Sequence, residues 1–128
     1  MYYKRQEAFR YVFPESIPAQ CKVYQYAGDT KVKIQTFNAF ILDISPNGLR
    51  AASKTEIELK SDFILIFSFQ LADTLIHFTG QLIRKRNAIG LFEYGIESDN
   101  SDALKDQIVS SLKLYTKEQL KKLKGHGK

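Results

Sequence analysis

The alternation of apolar and polar residues predicts a series of short strands followed by one helix. Segments rich in β-branched and aromatic residues and bounded by turn residues are expected to be strands: 17–26, 31–44, 49–52, 63–71, 75–86 and 89–97. The segment 63–71 is almost continuously apolar, which predicts a strand with both faces largely covered. Short strands at regular spacing, without an intervening long helix, are typical of an antiparallel barrel or sandwich.

Turn residues separate these segments. Ala27 to Thr30 is expected to close a hairpin, and Asn87-Ala88 to connect the last two strands. Gly80 and Gly95 interrupt strand segments, where glycine marks a bend or a close approach of another chain segment.

The period becomes helical from Ser101 onward. Apolar side chains recur there at helical spacing and form one stripe: Leu104, Ile108, Leu112 and Tyr115. The stripe predicts a helix lying on the barrel, or alternatively a helix that packs on a partner or moves when a ligand binds. Thr116 and Gln119 have the spacing of a capping box, so we expect the helix to break near Thr116 and restart.

The segment Asp43-Ile44-Ser45-Pro46-Asn47-Gly48 joins the second and third predicted strands. Alternation along the strand directs Phe40, Leu42 and Ile44 toward the core and puts Asp43 beside Ser45 on the other face. The residues 46–48 are then a turn, because Pro, Asn and Gly suit turn conformations. On its residues alone the segment fits a polar strand end, and a ligand site is the alternative.

The N-terminal residues 1–16 carry basic and aromatic side chains without a clear period, which predicts an irregular arm. Arg5 and Arg10 lie in it. Arginine presents a planar fork of donors that suits phosphate oxygens and the edge of guanine, and it stacks on flat rings. The aromatic residues Phe9, Tyr11 and Phe13 either dock on the body of the protein or stack on a purine.

Two arginines before the first strand, followed by Asp43-x-Ser45-x-x-Gly48, resemble the PilZ domain, a bacterial module that binds cyclic di-GMP. The resemblance continues through 80–84 and 94–97 and into the terminal helix. It implies a mainly β fold, an antiparallel six- or seven-stranded β-barrel with a C-terminal α-helix. The chain is then one domain, with an arm at 1–16, a barrel at 17–98, and a helix and basic tail at 99–128.

The resemblance also implies roles for particular residues. Arg5 and Arg10 would clamp phosphates and guanine edges or faces, and Asp43 would accept hydrogen bonds from a guanine N–H edge. Two further positions complete the predicted site, since Ser45 would bond to base or phosphate and Gly48 would leave room for the ligand. The family pattern Arg-x-x-x-Arg calls for arginine at position 6, where this chain has Gln6, so that Arg5 and Arg10 form Arg-x-x-x-x-Arg.

These features predict a cyclic di-GMP receptor that orders its arm over the nucleotide and signals to a protein partner. The substitution at position 6 leaves open an adaptor that binds a protein partner without nucleotide. A small basic barrel for RNA or single-stranded DNA is the third reading, and nucleic acid is disfavoured because no stacking motif accompanies the lysines and aromatic residues.

Composition narrows the remaining classes. The net charge of +5 is concentrated in C-terminal lysines, which suit a helix C-terminus and solubilise the tail. The single cysteine, Cys21, excludes an intramolecular disulfide framework and is expected to be a small core residue. No apolar run approaches the roughly 20 residues of a membrane helix, so we expect a cytoplasmic protein without a membrane span.

Catalytic and metal-binding patterns find no support in the sequence. The two histidines, His77 and His126, have no companions at metal-ligand spacing, and no phosphate loop or nucleophile motif occurs. We therefore expect neither an enzyme nor a bound metal or cofactor, with cyclic di-GMP as a signalling ligand.

Overall fold

Six antiparallel strands close into one barrel, with a helix following the last strand. The computed structural model describes residues 10–60 and 62–126. The elements in chain order are β1 (Tyr11–Ala27), β2 (Thr30–Ser45), β3 (Gly48–Ser53), β4 (Phe63–Leu71), β5 (Thr74–Ala88), β6 (Leu91–Ser98) and α1 (Asp102–His126). Around the barrel the strands follow the order β1-β2-β3-β6-β5-β4, and β4 returns to pair with β1. The predicted antiparallel barrel with a C-terminal helix is confirmed.

The barrel interior is filled by alternate residues of each strand. In β4 the inner positions are all buried: Phe63, Leu65, Phe67, Phe69 and Leu71. The residues between them are partly or fully exposed, so β4 has one covered face and not the two predicted. Since successive side chains of a strand point to opposite faces, this alternation places the core on the barrel axis.

The strand β1 begins at Tyr11, six residues before the predicted start at 17. Phe13 is buried, and its ring packs edge to face against Tyr11 and Tyr115 with centroids 5.1 and 5.4 Å away. Such aromatic pairs add to the free energy gained by burying the rings. This packing draws residues 11–16 into the strand, although the pairing of β1 with β2 is irregular between Val12 and Ile17.

A β-bulge in β2 changes which residues enter the core. Pairing with β3 skips Leu42 between Ile41 and Asp43, and an extra residue of this kind reverses the alternation beyond it. Ile41 and Ile44 are consequently both fully buried. The prediction that Phe40 enters the core is wrong, since Phe40 is 46 % exposed, and Leu42 is half-buried.

The helix α1 is continuous, so the predicted break near Thr116 is wrong. Thr116 Oγ1 donates to the Leu112 carbonyl oxygen at 2.8 Å, which satisfies the hydroxyl within the helix. Ile108 and Leu112 are buried in the same core as the barrel side chains. At the helix start, Ser101 Oγ accepts the Leu104 N–H at 3.2 Å and acts as the N-cap.

One of the two predicted hairpin turns lies where expected, and the other does not. Gly28 and Asp29 connect β1 to β2 as expected. The turn between β5 and β6 lies at Ile89-Gly90 and not at Asn87-Ala88. Gly90 has a φ of +75°, in the left-handed region that glycine adopts without steric cost, and this conformation fixes the turn there.

Candidate ligand-binding groove

A groove of about 770 Å³ opens where the β2–β3 turn meets β5 and β6. Four of the five residues predicted to bind ligand line it: Arg10, Asp43, Ser45 and Gly48. The fifth, Arg5, lies outside the described residues, as does Gln6. The sequence motif and the arginine before β1 are therefore adjacent in space, although Arg10 and Asp43 are 33 positions apart in the sequence.

Asp43 is the centre of this groove and is only 3 % exposed. Its Oδ1 accepts a hydrogen bond from Arg10 Nη1, and its Oδ2 accepts one from Arg50 Nε at 2.8 Å. A buried carboxylate is costly unless it is paired and hydrogen-bonded. The two guanidinium groups meet that need and leave each carboxylate oxygen with one arginine.

Arg50 is a groove residue that the sequence analysis did not single out. It stands opposite Asp43 in the β2–β3 hairpin, and its Nη1 donates to Glu93 Oε1 at 3.1 Å. The same Glu93 oxygen accepts a second bond from Arg86 Nη2 at 2.7 Å. These ion pairs form a continuous network from Arg10 to Arg86. Counting outward from the two-residue turn, with Ser45 facing Gly48, would have placed Arg50 across from Asp43.

Hydrogen bonds shift the pKa values of two groups in this network, Arg50 and Glu93. The bond to Asp43 raises the pKa of Arg50 above its ordinary value. The pKa of Glu93 is lowered, first by the hydrogen bond from Arg86 and further by Arg50. The charged forms of Arg50 and Glu93 are thus stabilised, and the groove holds preformed ion pairs.

Ser45 and Gly48 have contacts that serve the hairpin itself. Ser45 Oγ donates to the Gly48 carbonyl oxygen at 3.3 Å across the turn. A Cβ atom at position 48 would lie 2.9 Å from the Ile96 carbonyl oxygen, so the missing side chain allows β3 to approach β6. The predicted role of Gly48 in making room for a ligand is therefore accompanied by a structural role.

Cys21 and His77 lie away from the groove. Cys21 is fully buried, and burial raises the pKa of its thiol, in agreement with the predicted core position. His77 Nδ1 is hydrogen-bonded to Ser68 Oγ at 2.8 Å on the outside of the barrel. Within residues 10–60 and 62–126 no three metal-ligating side chains come together, and no helix is long and apolar enough to cross a membrane.

The family model of the PilZ domain matches residues 4–114. The chain belongs to the PilZ domain family. This match includes the arginine-bearing segment before β1, the Asp43 motif, the whole barrel and the first half of α1. The family predicted from the sequence is confirmed.

Two solved PilZ structures share the fold. The PilZ domain of YcgR from Escherichia coli, solved with c-di-GMP, has a TM-score of 0.57 and 21 % identity, covering 89 % of this chain and 95 % of that one. The PilZ domain of CeSA from a cellulose-synthesizing bacterium has a TM-score of 0.50 and 16 % identity, covering 88 % and 99 %. At these identities the likeness establishes the fold alone. No curated protein matches the chain.

Proposed function

We propose that this protein is a receptor for cyclic di-GMP. The observation that carries the proposal is the convergence of Arg10, Asp43, Ser45 and Gly48 on one groove of about 770 Å³. That volume is within the range of pockets that hold small ligands. The family match and the nucleotide in the related YcgR domain support the same ligand class.

Each groove residue has a role that follows from its chemistry. Asp43 accepts hydrogen bonds and suits the N–H edge of a guanine. Arg10 offers a fork of donors and a flat surface, so it suits a phosphate or the face of a purine. Arg5 would add a second cation from the arm, and Ser45 and Gly48 border the ligand.

In the proposed binding mode the nucleotide takes over one ion-pair partner of Asp43, because Arg10 already donates to Asp43. A carboxylate has about four lone-pair sites, so Arg50 can remain on Oδ2 while a guanine N–H replaces Arg10 on Oδ1. Arg10 is then free to bind a phosphate. The nucleotide thus replaces one charged contact of Arg10 with another.

The arm is the proposed output of the receptor. Fixing its backbone over the nucleotide costs about 1–2 kcal/mol per residue, so the ligand contacts can order a short stretch and not a long one. The ordered arm presents a new surface to a protein partner. Because position 6 is Gln, an adaptor that binds a protein partner without nucleotide is the competing candidate.

Calorimetric titration with cyclic di-GMP, GTP and a short oligonucleotide separates these candidates. We expect saturable binding of cyclic di-GMP and much weaker binding of the other two. Hydrogen exchange should slow at 4–11 and 43–48 on adding cyclic di-GMP, while the strands β4 and β5 change little. If nothing binds, the adaptor is favoured, and preferential binding of the oligonucleotide would indicate a nucleic-acid protein.

The departure at position 6 gives a second test. Restoring the family spacing with Gln6→Arg should tighten binding of cyclic di-GMP, because a bidentate arginine contact is worth about 1–3 kcal/mol. Gln6→Lys is the matched control, since it adds the charge without the planar fork. Unchanged affinity in Gln6→Arg would show that the spacing of the arm does not limit binding.

A further inference from the structure

Arg84 completes a row of side chains that crosses the groove. Asp43 pairs with Arg50 in the strand register, Arg50 with Gly95, and Gly95 with Arg84. Gly95 has no side chain, so backbone forms the floor between the two arginines. A Cβ atom at position 95 would lie 3.2 Å from the Cβ of Arg84, which shows how closely Arg84 borders this floor.

Two β-bulges direct the ends of this row into the groove. In β2 the pairing skips Leu42, and in β5 it skips Ile83. Without the second bulge, Arg84 would have the same orientation as Leu82, which is buried in the core. Bulges are frequent beside functional sites because they redirect a side chain. A β-bulge thus places each of Arg84 and Asp43 on the outer face of the barrel.

Arg84 also differs from the other described arginines in its contacts. Arg10 and Arg50 donate to Asp43, and Arg86 donates to Glu93. Arg84 makes no ion pair and no side-chain hydrogen bond with any residue that the structure describes. It is exposed, and it borders both the main groove and an adjoining cavity of about 290 Å³.

We propose that Arg84, with the bare backbone of Gly95, forms an anion subsite that binds a phosphodiester of the nucleotide. The inference rests on the proposed function and extends it to a residue outside the family motif. In the proposed exchange Arg10 gives up its bond to Asp43 to bind a phosphate, whereas Arg84 gives up no described ion pair. Its planar fork matches two oxygens of a phosphodiester, and the floor at Gly95 allows the ligand to approach closely.

This subsite supplies a cation that position 6 lacks. The family pattern has an arginine there, and this chain has Gln6. Glu97 also borders the groove but forms no ion pair with Arg84, so the guanidinium remains available to an anionic ligand. A single free guanidinium suits the single negative charge of a phosphodiester.

The test compares Arg84→Gln with two matched variants in titrations with cyclic di-GMP. Lys113→Gln removes an exposed cation of α1, which contributes no residue to the groove lining. Lys33→Gln removes an exposed cation of the β1–β2 hairpin, away from the groove. We expect Arg84→Gln to weaken binding roughly tenfold or more and to reduce its salt dependence, as loss of a bidentate contact does. The two controls should change affinity by less than about threefold.

Two further measurements make the result specific. Arg84→Lys should recover only part of the affinity, because it keeps the charge without the fork. The Gly95 amide should shift in nuclear magnetic resonance spectra of the unmodified protein on adding cyclic di-GMP, and thermal unfolding of Arg84→Gln should match the unmodified protein. Unchanged affinity in Arg84→Gln, or equal losses in all three Gln variants, overturns the subsite and leaves the receptor intact. No binding to the unmodified protein overturns both.

Discussion

The two sides of the barrel satisfy their polar groups in different ways. The groove face, formed by the outer side chains of β3, β6 and the adjoining ends of β2 and β5, holds linked ion pairs around Asp43 and Glu93. The opposite face, formed by the outer side chains of β1, β4 and the adjoining parts of β2 and β5, contains the Ser68–His77 hydrogen bond. Exposed apolar residues such as Phe40 and Leu75 accompany that bond.

The two faces differ in which of their contacts a ligand can replace. A guanine N–H can take the place of one arginine at Asp43 while the other stays, because the carboxylate accepts from two arginines. The Ser68–His77 hydrogen bond joins side chains of the adjacent strands β4 and β5, and neither side chain belongs to a described ion pair. We therefore expect substitutions on the groove face to change binding and substitutions on the opposite face to leave it unchanged.

The largest effect is expected from Asp43→Ala. It removes the acceptor of both arginines and the proposed guanine contact, so binding of cyclic di-GMP should be lost in calorimetric titration. The fold should persist, because the Arg10 and Arg50 side chains are 46 % and 42 % exposed and can be hydrated. Asp29→Ala in the hairpin turn is the control and should bind normally. Normal binding by Asp43→Ala would exclude the groove as the site.

A smaller loss is expected from Arg10→Ala. Removing one charged contact should weaken binding of cyclic di-GMP by about 1–3 kcal/mol and make it less dependent on salt. Thermal unfolding should change little, because Arg10 precedes β1 and its side chain is half exposed. A variant that binds like the unmodified protein would remove Arg10 from the site and leave Arg84 and Asp43 to be considered separately.

A pH-dependent effect on stability is expected from Glu93→Gln. Folding lowers the pKa of Glu93, so its ionised form contributes stability that is complete above the ordinary pKa of 4.5 and is lost as pH falls through the lower folded value. At neutral pH we expect a loss of about 1 kcal/mol, since solvent screens the partly exposed arginines. Unfolding free energies of both proteins across acidic pH measure this. The difference between them should shrink as pH falls, and a constant difference would contradict the assignment.

The smallest effect is expected on the opposite face. Ser68→Ala removes one hydrogen bond at a partly exposed site, which typically changes the free energy of unfolding by about 0.5 kcal/mol or less. Its affinity for cyclic di-GMP should equal that of the unmodified protein. Weakened binding in this variant would mean that the two faces are coupled through the barrel.

The sequence predicted the strands and the helix because alternation and helical spacing are local properties. It missed the early start of β1, since the burial of Phe13 depends on Tyr115, more than 100 residues away. The predicted core and solvent faces were also reversed near Phe40, because no local sequence signal marks a β-bulge. Local patterns therefore located the elements, and long-range packing decided their ends and orientations.

The candidate groove was predictable in part for the same reason. Asp43, Ser45 and Gly48 belong to one motif, and the hairpin register could have added Arg50. Arg84 could not have been found this way, because its position depends on the bulge at Ile83 and on the pairing of β5 with β6. The sequence thus indicated Arg10 and the residues of one hairpin, and not Arg84, which the pairing of β5 with β6 brings to the groove.

The hairpin contacts of Ser45 and Gly48 bear on how this domain can diverge over evolution. The Ser45 hydroxyl bonds across the turn, and Gly48 allows the approach of the Ile96 backbone. A lineage that lost its nucleotide would still gain stability from both residues, whereas Arg10 and Arg84 would be free to drift. The serine and glycine of the motif would then survive as a record of ancestry in proteins that no longer bind anything there. Among related sequences, the arginines are accordingly the better guide to which members still function as receptors.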